Sequence, residues 1–297
     1  MKETEPLLSV LCLTFEHAPF VAQALESVLA QKVSFPIEVV VADDCSSDAT
    51  LAVVERFRQR LGTRLTVLTT PVNLGVTRNL RRALAACRGR YVALCEGDDY
   101  WRGNQKLQRQ VDFLEAHSGY VLAFHDATLI GEVAAAGDQQ LSRWLRRDAS
   151  AAELIATRPI STLTVCFRNV LGPLPHELDQ APALDLCLWS LLGQHGSGRY
   201  MPEIEAAAYR VHPGGVFSTQ TERARYIMSA QSLLCLSRMY ARLGQPALSN
   251  RLLLRAAVMS SRRLGAGATL QLVLLAPMWL LLRAARAAWL ALARQRP

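Results

Sequence analysis

From Leu7 onward, short apolar runs alternate with helix-length amphipathic segments. This is the pattern of a mostly parallel sheet covered by helices. Leu7–Thr14 reads as a first strand. In Pro19–Gln31, Phe20, Ala24 and Val28, with Val21, Leu25 and Leu29 on adjoining rows, recur at helical spacing and predict a helix packed on that sheet. Ile37–Ala42 is continuously apolar past Glu38, as expected of a strand covered on both faces. The alternation continues with a helix over Asp48–Leu61, capped by Ser47 or Asp48, a strand at Leu65–Leu68 and a helix at Thr77–Cys87. A strand at Tyr91–Cys95 then runs directly into Glu96-Gly97-Asp98-Asp99.

After a helix at Asn104–Ala116 and a strand at Tyr120–Phe124 the pattern loosens. Residues 131–150 are small and polar and read as a mobile connection. Ser161–Phe167 and Ala206–Val211 are strand-like, Ala183–Leu192 is helical, and from Thr221 only helix is expected. Composition therefore divides the chain into an α/β domain over 1–220 and a helical segment over 221–297.

Charge sharpens that division. The net +8 of the 297 residues is unevenly placed: residues 223–297 hold twelve Arg and no acidic residue or Lys, leaving 21 basic against 25 acidic groups, or −4, before them. A basic apolar tail behind an acidic body fits a phospholipid surface, and nucleic acid is disfavoured because the body would be repelled. Within the tail, Leu264–Leu282 is nineteen residues without a charge. As a helix it would reach about 28 Å at ~1.5 Å per residue, just enough for a ~30 Å hydrocarbon core. Pro277 interrupts it and Arg flanks both ends. Farther on, Arg283, Arg286 and Arg294 oppose Trp289 and Leu290. Interfacial or re-entrant attachment is the first expectation, a single span the second and a helical dimer interface the third. Seven cysteines without C-x-x-C spacing read as buried thiols in a reducing compartment, with no zinc site. The first residues lack a secretory leader, so the expected location is the cytoplasm, at the inner face of the membrane.

Ligands of open α/β sheets bind at the carboxyl ends of the strands. Here those ends are polar and acidic: Thr14-Phe15-Glu16, Asp43-Asp44-Cys45-Ser46-Ser47-Asp48, and Glu96-Gly97-Asp98-Asp99-Tyr100-Trp101. Converging carboxylates repel, and a divalent ion with oxygen ligands relieves the repulsion while accepting a diphosphate. One Asp pair alone reads better as a solvated turn; three acidic or polar strand ends in succession favour a metal-dependent nucleotide site. P-loop, dinucleotide, zinc-protease and serine-hydrolase motifs are absent. Phosphates would then be held by metal and Arg, with Arg78 a candidate and a plain surface role equally open.

The stretches SVLCLTFEHAPFVAQALESVLAQ, IEVVVADDCSSDAT, NLGVTRNLRRALAACRGRYVALCEGDDYW with KLQRQVDFLE, LDLCLWSLLGQHG and YRVHPGGVFS resemble, in order and spacing over residues 7–218, the family 2 glycosyltransferases of the GT-A fold. The resemblance implies an inverting, Mn²⁺- or Mg²⁺-dependent enzyme using a nucleotide-diphosphate sugar, with UDP the expected nucleotide. It further implies that Phe15 stacks on the base and that Asp44, with Asp43 beside it, bonds a uracil ring. Thr14 and Glu16 flank that site, and Arg78 lies near the diphosphate. Asp98 would bind the ribose, Asp99 the metal, and Asp185 would be the catalytic base. Arg210 and His212 fall in a loop closing over the donor, His212 also being a candidate late metal ligand, with Glu96 and Trp101 beside it. Two departures stand out: Glu16 where the family usually has Asn, and Glu96-Gly-Asp in place of Asp-x-Asp.

The chemistry agrees, since inverting transfer needs one base for the acceptor hydroxyl and stabilisation of the leaving diphosphate. Asp185 also suits a helix N-terminus for reasons of dipole alone. His125-Asp126 is a candidate for the acceptor side, and core packing is the first expectation for Trp101, Trp144 and Trp189. The expected acceptor is a glycan or polyprenyl-linked hydroxyl in envelope polysaccharide synthesis. An inactive nucleotide-sugar-binding module that organises a membrane assembly is the alternative. A sugar nucleotidyltransferase would need a Gly- and basic-rich phosphate loop, which LTFEHAPF is not.

Overall fold

The computed structural model describes residues 5–131, 142–215 and 220–263. The expected tail features Leu264–Leu282, Arg283, Arg286, Trp289, Leu290 and Arg294 lie outside them. Among the described residues no helix is long and apolar enough to cross a membrane.

Two units divide the chain. The first comprises Met1–Pro173 and Leu188–Thr219, the second Leu174–Cys187 and the residues from Gln220. In chain order the elements are β1 (Leu8–Thr14), α1 (Val21–Leu29), β2 (Ile37–Asp43), α2 (Thr50–Arg56), α3 (Arg58–Leu61), β3 (Leu65–Leu68) and α4 (Val76–Ala86). They continue with β4 (Tyr91–Leu94), α5 (Lys106–Ala116), β5 (Tyr120–Phe124), β6 (Ala127–Ile130), α6 (Ala151–Ile155) and β7 (Cys166–Arg168). Next come α7 (Leu184–Leu192), β8 (Ser197–Tyr200), β9 (Ala207–Arg210), α8 (Glu222–Arg242) and α9 (Pro246–Arg263).

The first unit is built on a seven-stranded sheet in the order β3-β2-β1-β4-β7-β5-β8. The strands β3, β2, β1 and β4 pair parallel, as do β5 and β8, while β7 runs antiparallel between β4 and β5. All of β2 is buried, matching its apolar run. Its Glu38 is accommodated by Ser9 Oγ at 2.6 Å and Arg88 Nε at 2.8 Å, so the buried charge is paired. The apolar rows expected on the first helix pack inward through Val21, Ala24, Leu25 and Val28.

Three expectations change. The helix read over Asp48–Leu61 is α2 followed by α3, with Ala49 at the cap position. Asp48 sits one residue earlier, accepting from Thr50 N at 2.9 Å and Ala18 N at 3.0 Å. Of the stretch read as a mobile connection, residues 142–150 form an ordered turn entering α6, whose Ser150 and Glu153 make a reciprocal capping box. The strands β6 and β8 escaped the sequence pattern because β8, Ser-Gly-Arg-Tyr, has no apolar run and only two residues separate β6 from the end of β5.

In the second unit α8 and α9 form a hairpin, with Ser237 Oγ donating to Ser249 O at 2.9 Å. There Ala183 N also donates to Ser232 Oγ at 2.9 Å.

Candidate active site

Because β1, β2 and β4 are parallel neighbours, their carboxyl ends share one rim, and that rim carries the site. Asp43 ends β2 fully buried. Its carboxylate accepts from Thr14 Oγ1 at 2.8 Å, Ser46 Oγ at 2.6 Å and Ser46 N at 2.9 Å. Thr14 and Asp43 were expected at the nucleotide; here they fasten the first two strand ends to each other. Asp44 accepts from Leu74 N and Gly75 N, both at 2.8 Å. Gly75, at φ 79°, makes this approach possible and caps α4, so Asp44 fixes the helix start that bears the exposed Arg78.

Glu16 lies in the left-handed region at φ 55°. Asn is several-fold enriched there, which accounts for the residue usual at this position. Glu16 is held by Ser47, whose N and Oγ donate to its Oε1 at 2.7 and 2.9 Å. Between these fixed residues, Phe15 is 43% exposed, a rigidly mounted aromatic face open to solvent.

The acidic loop after β4 approaches β1 closely. Gly97 N donates to Leu13 O at 2.9 Å, and a Cβ on Gly97 would come within 2.6 Å of Thr14 Cγ2 and 2.9 Å of His17 Nδ1. A glycine between Glu96 and Asp98 is thus a steric requirement. Gly97→Ala is expected to lower stability by about 1–3 kcal/mol, read as a reduced midpoint in urea unfolding.

Asp98 and Asp99 face different partners. Asp98 Oδ2 lies 3.1 Å from His212 Nε2 and 3.7 Å from His17 Nε2. One ligand atom from each of His17, Asp98 and His212 lies within 4.8 Å of the others, the only such group found among the described residues. Asp99 is buried and accepts from Arg210 N at 2.7 Å. Burial raises the Asp98 pKa, but the His212 hydrogen bond and the His17 charge outweigh it and hold the carboxyl below its usual range. Burial, with the charges of Asp98 and Glu96, pushes Asp99 well above that range. Adjacent carboxyls whose pKa values are driven apart mark a rim short of positive charge, which a divalent cation can supply. The resemblance put the metal on Asp99 and the ribose on Asp98; of the two, the carboxylate that stands beside imidazoles is Asp98.

Arg210 and His212 reach this loop because Tyr100 and Ala208 form an antiparallel bridge, with amide bonds of 3.2 and 2.9 Å. Arg210 then donates from Nε to Asp98 O at 2.9 Å and from a terminal nitrogen to Gln23 Oε1 at 2.7 Å. Its guanidinium lies 4.8 Å from the Phe20 ring centre, and Phe20 also packs on His212 at 4.7 Å. Arg210 thus ties the acidic loop through Nε and α1 through its terminal nitrogen.

His17 carried no assignment from the sequence. Its signal was there: it stands two residues after Phe15, on the same strand end as the other polar groups. Its N donates to Thr50 Oγ1 at 2.8 Å, and its O accepts from Phe20 and Val21, both at 2.9 Å, at the start of α1. Glu96 lines a narrow cavity with Leu11, Leu13, Leu80, Leu94 and Thr162.

Trp101, set beside the ligand loop with core packing as the first expectation, is core. It is 3% exposed, donates from Nε1 to Leu163 O at 2.8 Å and lies 4.4 Å from Lys106 Nζ. Burial draws the Lys106 ammonium down to about 8. Trp189 is also buried, whereas Trp144 is 67% exposed beside Arg143 on the turn before α6. Buried Arg158 clamps that turn by donating to Leu145 O at 2.6 Å and Arg147 O at 3.0 Å. Its Arg146 pairs with Asp126, just beyond β5, at 3.3 Å. His125 is buried inside the first unit.

Asp185 belongs to the second unit, in the first turn of α7. Dense surroundings push its carboxyl up to about 6, partly offset by the amides of Leu186 and Asp185. The residue keeps a fraction of its surface accessible, so exchange with solvent remains open. A carboxyl raised in this way suits general-base work near neutral pH.

A family model, glycosyl transferase family 2, matches residues 9–170, more than half of the chain, and the protein belongs to that family. An uncharacterised protein of Mycobacterium tuberculosis is 33% identical over 224 residues, covering 74% of this chain and 63% of its own length. A putative teichuronic acid biosynthesis glycosyltransferase of Bacillus subtilis is 31% identical over 135 residues, covering 43% of this chain and 52% of its own. Among solved structures, Staphylococcus aureus TarS in complex with UDP-GlcNAc superposes with a TM-score of 0.62 at 18% identity, over 86% of this chain and 73% of that one. A Pyrobaculum calidifontis mannosyltransferase in complex with GDP-Man and Mn²⁺ superposes at 0.53 and 18% identity, over 98% and 81%. The fold is accordingly GT-A. The chain spans under two thirds of the length of these curated relatives.

Proposed function

We propose that the protein transfers a sugar from a nucleotide-diphosphate donor to a hydroxyl of a saccharide or lipid-linked acceptor in envelope polysaccharide synthesis, with inversion. The observation that carries the reading is the Asp98–His212–His17 group beside the exposed Phe15 on the rim of a family 2 sheet. Phe15 supplies the stacking face for the base, with UDP the nucleotide. Asp98 and His212 hold a divalent ion, Mn²⁺ or Mg²⁺, which when bound stabilises the leaving diphosphate. Asp185 takes the proton of the acceptor hydroxyl. Trp144 and Arg143 offer a stacking face and a charge to an acceptor glycan. The basic tail from residue 223 attaches the enzyme to the cytoplasmic face of the inner membrane, which would raise the local concentration of a lipid-linked acceptor. Its helices also suit a homodimer.

Supporting the family reading are relatives described as a teichuronic acid glycosyltransferase and as poly(ribitol-phosphate) β-N-acetylglucosaminyltransferase TarS. Calorimetric titration with UDP, GDP, CDP and ADP plus Mn²⁺, followed by donor-consumption assays with glycan acceptors, tests it. UDP is expected to bind tightest, and failure of all four to bind ends the proposal. Nucleotide binding without consumption of any donor would favour an inactive nucleotide-sugar-binding module instead. Phe15→Ala is expected to weaken UDP by about 1–3 kcal/mol in the same titration, leaving the unfolding midpoint unchanged.

A further inference from the structure

We propose that His17 is a third protein ligand of the divalent ion, so that the site is a two-imidazole, one-carboxylate set that binds a transition ion before any nucleotide arrives and selects it over Mg²⁺. The proposal deepens the glycosyltransferase reading and rests on it for the ion's role, though not for its location.

Two features of the chain carry it. The first is spacing. Ligands held at about 2.1 Å from a tetrahedral or octahedral ion stand roughly 3.0–3.4 Å apart at adjacent corners. Asp98 Oδ2 stands 3.1 Å from one imidazole nitrogen and 3.7 Å from the other, close to that spacing, and the three ligand atoms all lie within 4.8 Å of one another. The rings of His17 and His212 are nearly perpendicular, at 79°, with centroids 6.1 Å apart. Two rings can thus direct nitrogens to one point without stacking against each other.

The second is mounting. Each ligand stands on an independently fixed segment. His17 is tied to Thr50, Asp98 to Arg210 through its carbonyl, and His212 is packed on Phe20. Preorganised ligands lower the cost of holding an ion without help from diphosphate oxygens. Ligand type then sets the choice of metal. Mg²⁺ is served by carboxylate, water and phosphate oxygens, while imidazole nitrogens favour ions later in the transition series. Replacing one oxygen ligand by a second imidazole moves preference away from Mg²⁺.

The test is titration of the full chain with Mn²⁺ without nucleotide, following loss of the free-ion electron paramagnetic resonance signal, with Mg²⁺ as competitor. Saturable binding of one Mn²⁺ is expected, displaced by Mg²⁺ only in large excess. His17→Asn should weaken Mn²⁺ tenfold or more, at least the loss typical of disturbing a ligand's supporting contacts, while Mg²⁺ binding changes much less. His212→Asn should weaken Mn²⁺ similarly, and circular dichroism of both variants should match the parent. Wild-type Mn²⁺ affinity in His17→Asn, or absence of Mn²⁺ binding until UDP is added, overturns the proposal. In either case UDP titration in the presence of metal still reports separately on the glycosyltransferase reading.

Discussion

Asp98→Asn is expected to reduce kcat/KM for sugar transfer by about 10³-fold, the upper range for deleting one preorganised group that stabilises developing charge. The substitution keeps the side chain's shape and removes the charge toward which both His212 and His17 are turned. It leaves the Asp98 carbonyl, and hence its bond from Arg210 Nε, in place. The loop should therefore stay seated while the metal affinity falls. Asp99→Asn makes the informative comparison. Its amide oxygen can still accept from Arg210 N, so it should keep most of its metal affinity. Asp98 is also one of the charges that raise the Asp99 pKa, so neutralising it should let Asp99 ionise more readily. Mn²⁺ binding and donor turnover measured on both variants separate the roles; metal binding lost in Asp99→Asn and retained in Asp98→Asn would exchange the two assignments.

That exchange bears on what a sequence can convey. The parallel sheet was legible because β1, β2 and β4 are apolar runs buried on both faces, and the rim was legible because each such run ends in polar residues. Which of two adjacent aspartates stands beside the imidazoles was not legible. The answer depends on Tyr100 bridging to Ala208, a pairing across more than a hundred residues that brings the Arg210 amide to one carboxylate and His212 to the other. Asp43 and Thr14 were equally opaque. A buried carboxylate bonded to a neighbouring strand end and one aimed at a ligand have the same letters in the same places. Core packing was the first expectation for Trp101, but the bond that fixes its ring there, to Leu163 O, comes from far along the chain and could not be read. His17 was missed for a simpler reason: a single histidine after a strand gives no spacing to read until a second one arrives from residue 212.

Asp185→Asn is expected to lower kcat by about 10²–10⁴-fold, the usual contribution of a positioned general base, with UDP and Mn²⁺ binding unchanged. The pH dependence makes this expectation specific. The carboxyl is raised to about 6, so activity of the wild type should climb through that pH as the base loses its proton. The ascending limb should vanish from whatever activity the Asn variant retains. Stability runs in the opposite direction. Between its ordinary value near 4 and the raised value near 6, the folded chain holds a proton that the unfolded chain releases. This group therefore favours folding fully below pH 4 and loses that contribution as pH rises through 6. At pH 7.5 the wild type carries a desolvated carboxylate that the Asn variant lacks, so Asp185→Asn should melt higher at that pH, with the gap closing at pH 4. Loss of turnover with a higher melting point is the signature of a residue whose placement serves chemistry at the expense of stability. If α7 merely used Asp185 to satisfy its N-terminus, the variant would instead melt lower and keep its rate. Paired melting curves and pH–rate profiles of the two proteins decide between those outcomes.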